Sequence, residues 1–346
     1  MKAIVIHDYG PPDVLRYEDI ADPAPRTGEI RIKVHAATVN RVLDVSLRAG
    51  KEMARCATLP LIPGVDCAGI IDAVGPQVTR WRVGDRVAAA GIMPLDICAE
   101  DGSGYDGPRG MMGIKRPGGF AELVTVPACA AVALPATLDF HRAAVVLRHV
   151  PTAWNLLTHV AKLTFDETVL IMGAGGNLGT VGIQIAKNVI GARVIAAAGS
   201  DERVALGKKL GADHGINYAK ENIFDEVMKI TGGNGVDVLY DNIANPTVLP
   251  VAFRTIGMYG RLVTAGAHAG PQVAIDFAHL YHKRITIKGM PGYTPSDLPH
   301  CLGAAAQGKV IPQIERVLPL SQAAEAHRMI ERHEGHGKIV LDPTLH

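Results

Sequence analysis

The stretch Val169-Leu-Ile-Met-Gly173-Ala-Gly175-Gly176-Asn-Leu-Gly179, continuing Thr180-Val-Gly-Ile-Gln-Ile-Ala-Lys187, decides the fold. Its unbroken apolar start reads as a strand covered on both faces, as in a parallel sheet. Glycines follow, and residues 178–189 read as a helix. Such a turn brings free backbone N–H groups and the positive end of a helix dipole to one point, where a pyrophosphate can bind. Strict GxGxxG fails because position 178 is Leu; the looser GxxGxxG fits at Gly173, Gly176 and Gly179. An ordinary glycine-rich turn has a similar sequence, but the strand before it and the helix after it favour phosphate binding.

Working outward, residues 193–198 read as the second strand and 201–210 as a helix. Further strands are expected near 236–240, 260–265 and 284–288. Strands alternating with helices predict an α/β chain with a doubly wound parallel sheet of the Rossmann type. The tip of the second strand bears on the cofactor. NAD binders usually carry Asp or Glu there to hold the ribose 2′-hydroxyl. Here the strand ends Ala196-Ala197-Ala198, followed by Gly199-Ser200-Asp201-Glu202-Arg203. Ser200 can donate to a 2′-phosphate and Arg203 can pair with it. The reading is NADP(H) over NAD(H). Asp201 and Glu202 oppose it, unless they serve the N-terminus of the next helix.

Before this region the pattern is one of short strands, at 1–7, 29–36, 69–74, 85–89 and 120–126, then a helix over 141–159. Residues 91–118 are rich in Gly, Pro and Asp without periodicity and read as one long surface loop. After it come a helix over 321–333, stopped by Gly335, and a strand over 338–341.

The chain has 346 residues, with 35 Lys+Arg against 34 Asp+Glu, a net charge of +1. That balance argues against a nucleic-acid or anionic-membrane binder. A hydrophobic content of 48% excludes disorder and suits two domains. The five cysteines, Cys56, Cys67, Cys98, Cys129 and Cys301, are scattered without a CxxC, which excludes a disulfide framework and a compact all-Cys zinc site. No apolar run approaches the roughly 20 residues of a membrane span. A soluble, cytoplasmic setting is expected.

Further segments carry a resemblance: Gly10-Pro-Pro-Asp-Val-Leu15, Gly28-Glu-Ile-Arg-Ile-Lys-Val34, Leu61-Ile-Pro-Gly64-Val-Asp66-Cys-Ala-Gly69 through Gly75, and Val83-Gly-Asp-Arg-Val87. Gly118-Gly-Phe-Ala-Glu122, Ala143-Ala144 with Thr152-Ala-Trp154, Leu210-Gly-Ala-Asp213 and Gly337-Lys-Ile-Val-Leu341 continue it. In order and spacing the chain resembles the medium-chain dehydrogenase/reductase superfamily, in its zinc-free quinone oxidoreductase branch. The resemblance implies a GroES-like, partly open β-barrel catalytic domain over 1–147, a Rossmann NADP-binding domain over 148–290, and a return to the catalytic domain over 291–346. The active site would lie in the cleft between them. It also implies a homodimer or homotetramer joined through the Rossmann sheet edge, at residues 282–289.

Zinc-dependent relatives have Cys, His and Cys ligands at the positions matching Asn40, Val65 and Arg148, and none of these three suits a catalytic zinc. Such relatives also carry four cysteines in the loop matching 91–116, where this chain has only Cys98. The pairs His279/His282 and His333/His336 read as solvated or capping histidines. No metal is expected.

Without a Lewis acid, oxidation of an unactivated alcohol is difficult. Hydride transfer to an electron-poor acceptor, a quinone or an α,β-unsaturated carbonyl, needs positioning and stabilisation of the developing anion. Candidate catalytic residues are Asn40, Asp44, Ser46 and Arg148. Asn40 matches an Asn of the branch, and Asp44 follows it by four residues where three are usual. Ser46 falls where several quinone reductases have Tyr. Arg148 would either pull on a substrate oxygen or form an ion pair with Asp66 or Asp44. On the cofactor side, Gly173, Gly176, Asn177, Leu178 and Gly179 would hold the pyrophosphate. Ser200, Arg203 and Tyr218 match the 2′-phosphate positions of NADPH-using relatives, and His333 stands where that group often has Arg. The backbone of Gly266, Ala267 and His268 would contact the nicotinamide ribose, and 242–245 replaces a more usual Gly-containing turn. Two other functions stay open: an alcohol dehydrogenase with a rearranged metal site, and a non-catalytic NADPH-binding protein.

Overall fold

Unbroken apolar strands can be covered on both faces only inside a layered sheet, and the computed structural model has one. It describes residues 1–290, 292–332 and 337–345. The chain divides into two units, Met1–Arg148 with Pro312–His346, and His149–Ile311.

In the unit His149–Ile311, six strands lie parallel in the order His214–Asn217, Arg193–Ala198, Thr168–Met172, Val236–Tyr240, Ile256–Thr264, Thr286–Gly289. This is the doubly wound order, and its direction reverses beside Thr168–Met172, where ligands of such sheets bind. Val169 to Met172 are buried, as an inner strand requires. The helix Asn177–Gln184 follows the glycine turn, and a wider helical turn, Ile185–Ile190, prolongs it to Gly191 in the left-handed region at φ 88°. Among the described residues no helix is long and apolar enough to cross a membrane.

In the other unit, seven strands run in the order Ile314–Pro319, Lys338–Asp342, Glu29–Thr38, Asp66–Val74, Arg86–Ala90, Ala131–Ala133, with Leu123–Pro127 also paired to Glu29–Thr38. Together they make the GroES-like, partly open barrel. The chain's last strand pairs antiparallel with Glu29–Thr38, Val340 opposite Thr38 and Leu341 opposite Ala37. Continued two residues, this register sets Lys338 opposite Asn40, and the Val39 N–H to Ile339 O bond of 3.0 Å keeps it.

Two expectations need correction. The return to the first unit comes at Pro312, not at 291. Residues up to 311 stay with the Rossmann unit because Gln184 exchanges two hydrogen bonds with the Ile311 backbone, at 2.7 and 3.2 Å, and Asn188 donates to Lys309 O at 2.9 Å. Residues 91–118 are not one unstructured loop. Ile92–Pro94 pairs with Arg109–Met111, and Met93, Met112 and Ile114 are buried. These strands are three residues long, too short to show a period.

Candidate active site

Asn40 lies two residues past the longest barrel strand, Glu29–Thr38, and opens a wide helical turn. Both Asp44 N–H (2.9 Å) and Val45 N–H (3.1 Å) donate to its carbonyl oxygen, so the turn Arg41–Val45 absorbs the residue inserted between Asn40 and Asp44 as a π-type bulge. The bulge turns Asp44 back on its own start. Asp44 accepts the Asn40 N–H at 2.8 Å through Oδ2 and the Gly64 N–H at 3.2 Å through Oδ1. Its side chain is fully buried. Burial, and next the charge of Asp66, push the Asp44 carboxyl up to about 7. Asp44 is therefore a backbone clamp that fixes where Asn40 points.

Asp66 is the second buried acid. Its oxygens accept from Thr38 N–H (2.7 Å), Thr38 Oγ1 (2.6 Å) and Asn40 Nδ2 (3.2 Å). Burial pushes its carboxyl up, and the Thr38 bonds with the charges of Arg148 and Lys338 work against that shift. Arg148 is half-buried and lies close enough to act electrostatically on both Asp66 and Lys338. Of its two expected partners, Asp66 has this interaction. Ser46, half-buried on the short helix Ser46–Arg48, contributes no hydrogen bond to the cluster among the described residues.

Lys338 is the residue that sequence reasoning missed. It is 6% exposed, and its Nζ donates to Asn40 Oδ1 at 2.6 Å. Burial, and then the charge of Arg148, push its ammonium down to about 8, against Asp66 and Asp44. The only sequence signal was the Gly337-Lys-Ile-Val-Leu341 stretch, which says nothing about what the lysine faces.

This donor set does not fit zinc. Val65, where zinc relatives have His, is packed with Leu43, Leu47, Leu61 and Ile114. The Asn40 amide and both Asp66 oxygens are engaged, and two cations stand where a third would be repelled. No group of three or more His, Cys, Asp or Glu able to hold a metal stands among the described residues.

In the Rossmann unit the glycine turn has the shape a pyrophosphate needs. Gly173 has φ 68°, in the region that favours glycine. A Cβ on Gly179 would stand 2.2 Å from Gly173 O. Gly176 caps Asn177–Gln184 without a side-chain bond, so the first-turn N–H groups of Asn177, Leu178 and Gly179 are left without a side-chain cap, as a phosphate site requires. Tyr240 Oη donates to Leu178 O at 3.2 Å, tying this turn to the neighbouring strand.

The three 2′-phosphate candidates come together. Arg203 lies across the turn, its Cγ 2.6 Å from where a Cβ of Gly175 would be, and the Tyr218 ring packs against Gly199. Burial pushes the Tyr218 phenol up, and the Arg203 charge opposes it. Ser200 Oγ accepts the Arg203 N–H at 3.4 Å, capping Asp201–Lys209 and keeping its hydroxyl proton to donate. Asp201 accepts from Asn217 Nδ2 at 2.6 Å and pairs with Lys220. Its charge is thereby matched within the protein.

Gly266, Ala267 and His268 follow the strand Ile256–Thr264, and Asn242 Oδ1 clips this loop by accepting the Ala265 N–H at 2.8 Å. Ala269 N–H donates to Ile243 O at 2.7 Å. In the 242–245 turn Ala244 takes the positive φ, 53°, that a glycine would favour. Asn242 Nδ2 and Asp241 Oδ1 are buried and lack a partner among the described residues. Unmet polar atoms beside an open glycine turn fit a bound nucleotide. His333 lies outside the described residues.

Residues 26–136 match the family model "Alcohol dehydrogenase GroES-like domain", and 177–307 match "Zinc-binding dehydrogenase". The quinone oxidoreductase of Sus scrofa is 31% identical over 349 residues, covering 99% of this chain and 97% of that one. Among solved structures, an NAD-dependent alcohol dehydrogenase aligns with TM-score 0.87 and 33% identity over 99% of both chains. A 2-haloacrylate reductase aligns with TM-score 0.81 and 26% identity over 100% of both.

Proposed function

The chain belongs to the medium-chain dehydrogenase/reductase superfamily, in its quinone oxidoreductase-like branch, and on that premise we propose an NADPH-dependent, metal-independent reductase of quinones or α,β-unsaturated carbonyl compounds. One observation carries the reading: where zinc relatives hold their metal, this chain has the buried network Asp66, Asn40 and Lys338 with Arg148 beside it. When Asp66, Lys338 and Arg148 are all charged they sum to +1, which favours an oxyanion developing on an acceptor.

When bound, reduced nicotinamide supplies a hydride. Gly173, Gly176 and the N–H groups of Asn177, Leu178 and Gly179 bind the pyrophosphate. Ser200, Arg203 and Tyr218 bind the 2′-phosphate, and the backbone of Gly266, Ala267 and His268 orients the nicotinamide ribose. Arg148 faces the acceptor's oxygen; Asp66 attracts the guanidinium, Lys338 fixes Asn40, and Asp44 keeps Asn40 in register. Kinship with a quinone oxidoreductase and likeness to a 2-haloacrylate reductase support an acceptor that is already electron-poor.

Likeness to an NAD-dependent alcohol dehydrogenase favours alcohol oxidation as the second reading. NADPH oxidation by the purified protein, against quinones, enones and enoyl thioesters, separates the two when combined with metal analysis. The expected result is turnover that a chelator leaves unchanged. Stoichiometric zinc with alcohol oxidation would overturn it, and NADPH binding without turnover would indicate a non-catalytic role.

A further inference from the structure

The thiols Cys98 and Cys129 lie 3.4 Å apart, Sγ to Sγ, though 31 residues separate them in sequence. Both are half-buried, whereas Cys67 and Cys301 are buried and Cys56 is exposed. Cys98 lies in the lobe that the paired strands Ile92–Pro94 and Arg109–Met111 close at its base. Cys129 lies in the turn Ala128–Ala130, after the barrel strand Leu123–Pro127.

The two thiols are held face to face by the packing around them. The Cys98 carbonyl oxygen comes within 3.1 Å of where a Cβ of Gly28 would be, and Gly28 is glycine at φ 76°. A Cβ on Gly102 would meet Cys129 Cβ at 3.3 Å. Two residues past Cys98, the Glu100 carboxylate accepts the Thr79 N–H at 3.0 Å and Thr79 Oγ1 at 2.8 Å. The lobe is therefore anchored on both sides of Cys98. Among the described residues no third ligand of the His, Cys, Asp or Glu type joins the pair. Two sulfurs this close need to approach by little more than 1 Å to reach a bond of about 2.0 Å.

We propose that Cys98 and Cys129 form a reversible disulfide when the protein meets hydrogen peroxide, making the lobe a redox-modified site. The Cys98 thiolate attacks one peroxide oxygen. The O–O bond breaks, and with one proton a water leaves, so that Cys98 carries S–OH. The Cys129 sulfur then attacks the Cys98 sulfur. The S–S bond forms, the S–O bond breaks, and the hydroxide departs with the Cys129 proton as a second water. Each sulfur loses one electron and the peroxide gains two. Burial, followed by the bond to Cys98, pushes the Cys129 thiol up, which suits Cys129 to the resolving role. A dithiol returns both sulfurs to thiols by exchange.

The test treats the full-length protein with hydrogen peroxide, alkylates the remaining thiols under denaturing conditions and maps the peptides. The expected product is a Cys98–Cys129 cross-link within one chain, a loss of two free thiols, and recovery of both with dithiothreitol. Oxidised protein should also melt higher, by up to roughly 5 °C, because a loop of this length is closed in the unfolded state. Cys98→Ser and Cys129→Ser should each abolish the cross-link and the melting shift. Separate sulfinic acids at the two positions, bonds between chains only, or alkylation of both thiols after peroxide treatment would overturn the proposal. The wild-type map decides it even if a variant fails to fold.

Discussion

Lys338 Nζ lies 2.6 Å from Asn40 Oδ1 across 298 residues of sequence. The antiparallel register of the closing barrel strand against Glu29–Thr38 makes the pair, and burial holds the ammonium down near 8. Between about pH 8 and the ordinary lysine value of 10.5, the unfolded chain binds a proton that the folded chain does not. By linkage, folding stability rises with pH across that window. Lys338→Met removes the rise. Denaturant titrations of both proteins should show the wild type gaining on the variant from pH 8 to 10.5, by about 3 kcal/mol at most. Parallel curves would mean that Lys338 is not held in this way.

Asp44 has the opposite sign. Its folded carboxyl sits near 7 against an ordinary 3.8, so between those values the folded chain holds a proton that the unfolded chain has lost. The contribution is complete below pH 3.8 and is lost as pH rises through 7. Asp44→Asn stays neutral throughout. Thermal melts from pH 4 to 7 should therefore show the variant gaining on the wild type as pH rises. If Asp44 acts only by clamping Asn40, turnover at saturating NADPH should fall while NADPH affinity stays within about twofold, since the residue lies in the other unit.

The sheet could be read from sequence because its evidence is local: Val169 to Met172 are apolar without interruption, and glycines and a helix follow at once. The candidate nucleotide cradle could be proposed from sequence for the same reason, since Gly173 to Gly179 and Ser200 to Arg203 each lie on one short stretch. The barrel cluster was only half legible. Asn40 and Arg148 could be named because they stand where zinc relatives have ligands, and Asp44 because it follows Asn40 by four residues. Lys338 could not, because what it faces depends on which strand closes the barrel and in what register. The return at Pro312 was hidden for a similar reason, as it rests on Gln184 reaching the Ile311 backbone. Ser46 shows the converse: it is near Asp44 in sequence, yet it adds no hydrogen bond to the cluster among the described residues.

The proposed preference for NADPH rests on Arg203 across the glycine turn and on Asp201 being matched by Asn217 and Lys220. Arg203→Ala should raise KM for NADPH by roughly 10- to 100-fold, the loss of one charge-assisted bond, and change KM for NADH by less than about threefold. Equal effects on both cofactors would show that Arg203 shapes the turn and does not read the 2′-phosphate.

Two glycines give a matched pair. A Cβ on Gly179 would stand 2.2 Å from Gly173 O, whereas one on Gly303, inside the helix Asp297–Ala306, meets nothing within 4 Å. Gly179→Ala must push the turn apart and should weaken NADPH binding by at least about tenfold, about 1.4 kcal/mol. Gly303→Ala should raise stability by roughly 0.5–1 kcal/mol and leave binding alone. Fluorescence titration of NADPH and a thermal melt on each protein check both.

The strand Thr286–Gly289 bears on self-association. It pairs on one side only, with Ile256–Thr264, and closes one edge of the parallel sheet. All four of its residues are exposed, as are Met258, Tyr259, Phe277 and Tyr281. A bare edge of this kind invites pairing with another chain unless charge or a bulge blocks it. A second copy related by a two-fold axis would extend the sheet by antiparallel pairing of this same strand. Light scattering on the eluting protein should then give a dimer or a higher even assembly. Ile287→Glu sets like charges close together across the axis and should shift the mass toward the monomer, with an unchanged circular-dichroism spectrum. A variant that keeps the wild-type mass would put the association on another face.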